Sequence, residues 1–349
     1  MREIIVISSA YVRDLYLKCK MHGAGDASVT ISDSEILALI NISMSNLGWY
    51  LDERFYIDLP SRDYYEIPLD WFDDVSVGQI ASQYVMEALG QCIEINMDFS
   101  LFISNLCALH RRRCKFRRIL SNQPMPTMEQ IGPRILLEYG EVDNTLLANW
   151  MLWRKWIYDI DNRSAQETGY LFEPLLASCM GGAPVGATNS PVKRLDSNGQ
   201  PTNKGRQIDC LVPDCNVVYE LKLRVTIAAS GQGRFSEELS FPEESQAAGF
   251  KPILLVLDPS DSNRLAELSR KYLACGGEFY HGDDAWEHMK TNAGEVISVF
   301  IEKYIRPAID SVDDLDFSCL DSLNLHWRQD EIEVGNVNST YVIKRRIEQ

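Results

Sequence analysis

The stretch that most constrains this chain runs from Gly205 to Lys222, GRQIDCLVPDCNVVYELK. It reads as two short strands, Ile208–Val212 and Val217–Leu223, joined by a tight turn at Pro213-Asp-Cys-Asn216. Side chains at i and i+2 of a strand leave the same face. Glu220 and Lys222 therefore project together from an otherwise apolar strand. If the two strands lie side by side, Asp209 comes across from them, and two acids and a lysine converge at a sheet edge. Such a cluster suits metal-assisted cleavage of a phosphodiester. Carboxylates are hard oxygen ligands for Mg2+, the ion polarises the phosphate and activates water, and a lysine can hold that water and offset phosphate charge. The competing reading is an edge hairpin with solvated charges, because a D…ExK pattern also arises by chance.

The surrounding chain alternates strand and helix. Thr168–Met180 has a helical apolar face at Leu171, Phe172, Leu175 and Leu176, with Glu173 beside it; Pro174 suits only the start of a helix, so the segment reads as a new one. Gly181–Gly205 is rich in glycine and proline, with a first strand near Pro184–Thr188, and carries Lys193, Arg194, Lys204 and Arg206; it reads as a flexible basic segment that reaches a DNA backbone or groove through Lys193 and Arg194, and a mobile surface loop is the alternative. Beyond Lys222, Arg224, Gln232 and Arg234 lie among glycines. Arginine and glutamine are side chains that read guanine and adenine in the major groove, and a plain turn before a helix is the alternative. Phe235–Ala248 is an acidic, interrupted helix, PILLVLD at 252–258 a buried strand, Asp261–Cys275 an amphipathic helix closed by Gly276-Gly277, and Glu278–His281 a strand. Helices at Asp283–Lys290 and Glu295–Ile305 follow, then three strands, Leu323–Trp327, Glu331–Val334 and Thr340–Lys344.

The first half is mainly helical. Ser32 and Glu35 form a capping-box pattern, Leu51–Asp73 is aromatic and acidic and reads as loops or short strands over a core, and Val75–Gln91 and Phe99–Leu120 have helical spacing. Trp150, Trp153 and Trp156, in the helical stretch Met128–Tyr158, read as packed inward. The end of the Phe99–Leu120 helix holds Arg111, Arg112, Arg113, Lys115, Arg117 and Arg118, six positive charges within eight residues. In a chain of net charge −16 this is the most anomalous local charge. It points to a phosphate-contacting patch; the plainer reading is a solvated helix end stabilised by the macrodipole.

Net charge excludes a binder that uses its whole surface on nucleic acid, though not a local basic cleft. No stretch approaches a membrane span or a signal peptide. Nine cysteines without a CxxC argue against zinc and for reduced thiols in a cytoplasm. Walker and dinucleotide fingerprints are absent, as is GxSxG.

The pattern Asp209-x10-Glu220-Leu221-Lys222, preceded by the Glu173 helix and followed by a helix and a buried strand, resembles the PD-(D/E)XK nuclease superfamily. ELKLRVTIAASGQGRFSEELSFP, ILLVLDPS and GDDAWEHM resemble the ApaLI-like type II restriction endonucleases. Ile208 stands where the motif's name has proline. The resemblance implies an α/β fold with a PD-(D/E)XK restriction-endonuclease-like core, a mixed sheet flanked by helices, at residues 161–309. A largely helical region at 1–160 precedes it and a small β appendage at 310–349 follows. It implies Mg2+-dependent, sequence-specific cleavage of double-stranded DNA by a homodimer. Asp209 and Glu220 would bind metal, Lys222 would position the water, and Glu173 would assist. The alternatives are a repair or recombination nuclease with the same residues and no short recognition sequence, and a non-catalytic DNA-binding protein.

Overall fold

The computed structural model describes residues 9–20, 29–76, 78, 80–141, 144–222, 232–310, 320–328 and 330–346. The first half is helical: α1 (Ser9–Lys20), α2 (Asp33–Leu47), α3 (Leu69–Ser76), α4 (Ser82–Ile95), α5 (Phe99–Asn122), α6 (Met128–Tyr139) and α7 (Thr145–Cys179). The capping box at the start of α2 forms, with the Ser32 side chain accepting from Glu35 N–H and Glu35 accepting from Ser32 N–H. Gly48, at φ 67°, closes the helix in the left-handed conformation that a non-glycine residue resists. The aromatic segment at 51–73 forms two short 3-10 turns, Glu53–Phe55 and Tyr64–Glu66, and then enters α3, rather than making strands.

The central sheet has five strands in the order β1 (Ala183–Val185), β4 (Ile208–Val212), β5 (Val217–Lys222), β6 (Lys251–Val256), β7 (Glu278–His281). Between β1 and β4 the chain makes a separate two-stranded hairpin, β2 (Lys193–Leu195) and β3 (Pro201–Gly205). The basic segment is thus a built hairpin and not a loop throughout. β1–β4 and β4–β5 are antiparallel, and β5–β6 and β6–β7 are parallel. The parallel half needs crossovers, and α8 (Gln232–Ala247) and α9 (Asn263–Ala274) provide them. β6 is buried from Pro252 to Val256, which its unbroken apolar run requires of a strand covered on both faces. α10 (Asp283–Phe300) carries a break at Gly294, φ 76°, between the two helical segments read in the sequence.

Strand alternation sorts the sheet's two faces. Cys210, Tyr219, Leu221, Ile253 and Leu255 join one apolar core with α2, α4, α5, α7 and α10. Ile208, Val218, Leu254 and Val256 join a second with Phe241 of α8 and Leu265, Leu268 and Tyr272 of α9. The first core continues without a break from Leu15 to Ile305, and the boundary drawn at 160/161 falls inside α7. That helix is one 35-residue element that passes through Pro174, not a new one beginning near Thr168. A proline removes one i→i−4 hydrogen bond; buried Leu175, Leu176 and Ala177 hold this turn against the sheet.

β8 (Asn324–Trp327), β9 (Glu331–Gly335) and β10 (Thr340–Lys344) form an antiparallel meander. It docks through Ile332 onto Ile119, Trp156 and Ile160, with Trp153, Trp156 and Trp327 in edge-on ring contacts. Trp156 is buried and Trp153 partly so, but Trp150 is 53% exposed, against the inward packing read for all three. No helix among the described residues is long and apolar enough to cross a membrane.

Candidate active site

The β4–β5 register aligns Cys210 with Tyr219 and Val212 with Val217. One step further, Asp209 stands opposite Glu220. There the Asp209 carboxylate accepts a hydrogen bond from Leu221 N–H at 3.0 Å, so a side chain takes the place of a ladder carbonyl. Cys210 and Tyr219 share one core, and Leu211 and Val218 pack on the other. From Val218, alternation carries Glu220 and Lys222 to the α8–α9 side, and Asp209 lies beside them through its hydrogen bond from Leu221 N–H. Gly182, where the chain leaves α7, passes close over β4: a Cβ there would lie 2.4 Å from Cys210 Sγ and 2.7 Å from the Leu211 carbonyl. That close approach needs glycine and brings the end of α7 to the strand bearing Asp209.

Lys222 Nζ donates to Glu220 Oε1 at 2.7 Å and to Glu238 Oε1 at 3.3 Å. Glu238, from α8, was not singled out in the sequence. The only signal for it there is an acidic pair in an interrupted helix, and a tertiary contact 16 positions away is needed to place it. Its other oxygen, Oε2, is buried with no hydrogen-bond partner among the described residues.

The electrostatics are those of acids crowded around one cation. Asp209 is 9% exposed; burial pushes its pKa well above the ordinary carboxylate value, Glu220 and Glu173 push the same way, and Lys222 and the Leu221 N–H pull against them. Glu173 is also raised, first by burial, then by Glu220, with Lys222 opposing. This mutual influence places Glu173 within electrostatic reach of the cluster. For Lys222, burial alone would disfavour the ammonium, but Glu220, Glu238 and Asp209 outweigh it and hold its pKa above the usual lysine value. Lys222 is therefore a cation at neutral pH, suited to hold an anion or a water oxygen rather than to remove a proton. The carboxylates are a hard donor set of the kind that binds Mg2+, and Glu238 Oε2, without a hydrogen-bond partner among the described residues, is a further acceptor beside it.

The structure thus brings Asp209, Glu220 and Lys222 together, with Glu173 near. It distributes the other marked residues differently. Arg111 donates to the Lys18 and Cys19 carbonyls, and Arg113 donates to the Tyr64 and Ile67 carbonyls with its guanidinium 4.7 Å from the Tyr64 ring centre. Arg117 pairs with Asp70 and Asp73, at 3.0 and 2.7 Å. Arg112 lies over Phe116, and all six basic residues from Arg111 to Arg118 are half-buried rather than fully exposed. In the β2–β3 hairpin, Lys193 donates to the Ser190 carbonyl, Arg194 pairs with Glu237, and Arg206 is buried beside Glu244, 3.6 Å away. Lys204 is exposed. Arg224 lies outside the described residues, as do the side chains of Gln232 and Arg234 at the start of α8.

A family model of ApaLI-like restriction endonucleases matches residues 70–306. The chain is 48% identical over 257 residues to the type II restriction enzyme ApaLI of Acetobacter pasteurianus, an alignment that spans 72% of this chain and 67% of that protein. No solved structure matches.

Proposed function

The chain belongs to the ApaLI-like restriction endonucleases, type II site-specific deoxyribonucleases, and on that premise we propose that it cuts double-stranded DNA with Mg2+ in a PD-(D/E)XK core, in the cytoplasm and as a homodimer. The observation that carries the catalytic part is the convergence of Asp209, Glu220 and Lys222 across the β4–β5 pair, with Lys222 Nζ 2.7 Å from Glu220. Asp209 and Glu220 would hold the ion, with Glu238 and Glu173 as further acids beside it. When bound, Mg2+ supplies positive charge to the scissile phosphate and lowers the pKa of water.

The residues' own work follows from their charge. Asp209 must lose its proton to serve as a ligand, so protons compete with metal at this site. Lys222, held as an ammonium, orients the attacking water and offsets charge growing on the phosphate oxygens. Water adds to phosphorus, one P–O ester bond breaks, and the departing oxygen gains a proton, leaving a phosphomonoester and an alcohol. Arg224, Gln232 and Arg234 follow directly on the strand that carries Glu220 and Lys222, which supports a role for them at the DNA. Exposed apolar side chains along α6 and α7 (Leu137 87%, Leu146 79%, Trp150 53%, Tyr158 62%) offer a face for a second copy.

The test is digestion of unmodified phage and plasmid DNA with Mg2+ or with EDTA. Discrete bands with Mg2+ and intact DNA with EDTA are expected, and sequenced ends give the site. A Mg2+-dependent smear would remove the site specificity, and equal cleavage in EDTA the metal. Light scattering on the eluting protein should give twice the mass of 39.7 kDa; a monomer mass with and without DNA would remove the dimer.

A further inference from the structure

The helical half contains a second group of metal-binding side chains, away from the sheet and unused by the chemistry above. Glu35 at the start of α2 and His110 and Cys114 on α5 bring Glu35 Oε1, His110 Nε2 and Cys114 Sγ within 4.8 Å of one another, and it is the one such group among the described residues. All three are buried, with exposures of 8%, 0% and 7%. The His-x3-Cys spacing stacks two ligands on one face of a helix, one turn apart. The capping box fixes the third: Glu35 Oε2 accepts from Ser32 N–H at 2.5 Å, which turns Oε1 toward the ring.

Two readings compete. In one the group is a hydrogen-bonded chain, Tyr64 Oη donating to His110 Nδ1 at 3.0 Å and His110 Nε2 donating to Glu35. The spacing disfavours it. Nε2 lies 3.4 Å from Glu35 Oε1 and 3.7 Å from Cys114 Sγ, whereas an N–H···O hydrogen bond closes to about 2.7–3.2 Å. Around a tetrahedral zinc, ligand bonds of about 2.0–2.3 Å set a nitrogen and an oxygen roughly 3.3 Å apart and a nitrogen and a sulfur roughly 3.5 Å apart. The two separations from His110 Nε2 lie close to edges of that tetrahedron, and the third pair stays within 4.8 Å. Charge agrees: a divalent cation with one carboxylate and one thiolate is neutral, as a buried site should be. Empty, the site leaves the Glu35 carboxylate against an imidazole whose protonation burial disfavours, although Glu35 itself favours it. Tyr64 would then accept from His110 Nδ1–H, the outer contact that fixes a metal-ligating imidazole.

We propose that Glu35, His110 and Cys114 form a Zn2+ site that ties α2 to α5, separate from the Mg2+ centre. The nitrogen and sulfur donors suit zinc and not magnesium. Three protein donors leave the fourth position to a water. Burial pushes the Cys114 thiol up to about 11, so zinc binding releases its proton. The absence of a CxxC pattern, which argues against zinc in the sequence, does not bear on this set, which pairs one cysteine with a histidine and a glutamate.

The experiment is elemental analysis of protein purified from zinc-supplemented cells and desalted without chelator. About one zinc per chain is expected, retained in Lys222→Ala and Asp209→Asn and lost in Cys114→Ala. Protein refilled with Co2+ should show a thiolate-to-cobalt band in the near ultraviolet, absent from Cys114→Ala. Stripping should lower the melting temperature, with Zn2+ and not Mg2+ restoring it. Wild-type protein that stays free of zinc after Zn2+ dialysis overturns the proposal, as does full zinc retention by Cys114→Ala. If that variant does not fold, the wild-type stoichiometry and the cobalt band decide alone.

Discussion

Two clusters of charge stand out in this chain, and the fold treats them in opposite ways. The six basic residues at 111–118 are adjacent in sequence and end on different partners: the α1 carbonyls for Arg111, the Tyr64 turn for Arg113, the α3 acids for Arg117. Asp209, Glu220, Lys222 and Glu238 are scattered over 30 positions, yet Glu220 and Glu238 bind one ammonium nitrogen on which Asp209 also acts through its charge. The difference comes from the period of each element. A strand returns every second side chain to one face, so charges two apart are gathered; a helix turns about 100° per residue, so consecutive charges fan out around its axis. Density of charge along a sequence and its convergence in the fold are therefore separate signals.

The sharpest way to break this contrast is Lys222→Ala. It should lower the cleavage rate by about 10²–10³-fold or more with DNA binding kept, read by plasmid nicking and filter binding on the same preparation. Near-normal cleavage would leave the gathered cluster without a catalytic role. Next in size is Arg113→Ala. It removes two hydrogen bonds to carbonyls and a ring contact, and should cost about 1–3 kcal/mol in urea unfolding while leaving the salt dependence of DNA binding unchanged. A flatter salt slope at unchanged stability would assign this arginine to the phosphates.

Asp209→Asn tests the site from the side of stability. A carboxyl whose folded pKa is raised contributes stability that is present below its unfolded pKa and lost as pH rises through the folded one. Replacing it should therefore raise the melting temperature of the metal-free enzyme, by more at pH 8 than at pH 4, while cleavage is abolished. A lower melting temperature at pH 8 would contradict the crowding of acids described for this site. The smallest effect is expected for Arg117→Ala, whose acids Asp70 and Asp73 are 93% and 58% exposed. Exposed pairs contribute about 0–1 kcal/mol, so urea midpoints should barely move.

The sheet was legible in the sequence because its signals are local. β4, β5, β7 and the C-terminal strands match their periodicity, and the turn at Pro213–Asn216 has the residues a tight reversal needs, with Asn216 at φ 52°. α7 was not legible as one helix, because Pro174 signals a boundary in any isolated stretch and only the packing of Leu175 and Leu176 overrides it. Glu238 and the Glu35–His110–Cys114 group were hidden for a related reason. Glu238 depends on α8 meeting β5 and the other group on α2 meeting α5, and His110 and Cys114 sit among arginines that draw attention to charge. The basic hairpin at 193–205 read as a loop because its strands are three and five residues long and mostly polar.

The length of α7 has a mechanical consequence. From Trp150 to Glu173 the helix is continuous, a rod of about 35 Å at 1.5 Å per residue. The exposed tryptophan at one end and the acid at the other are thus set at a fixed distance and a fixed angle about a common axis. Inserting a single residue between them would turn one end against the other by about 100° and barely lengthen the rod. What the outer surface meets and where the acid points are coupled in torsion.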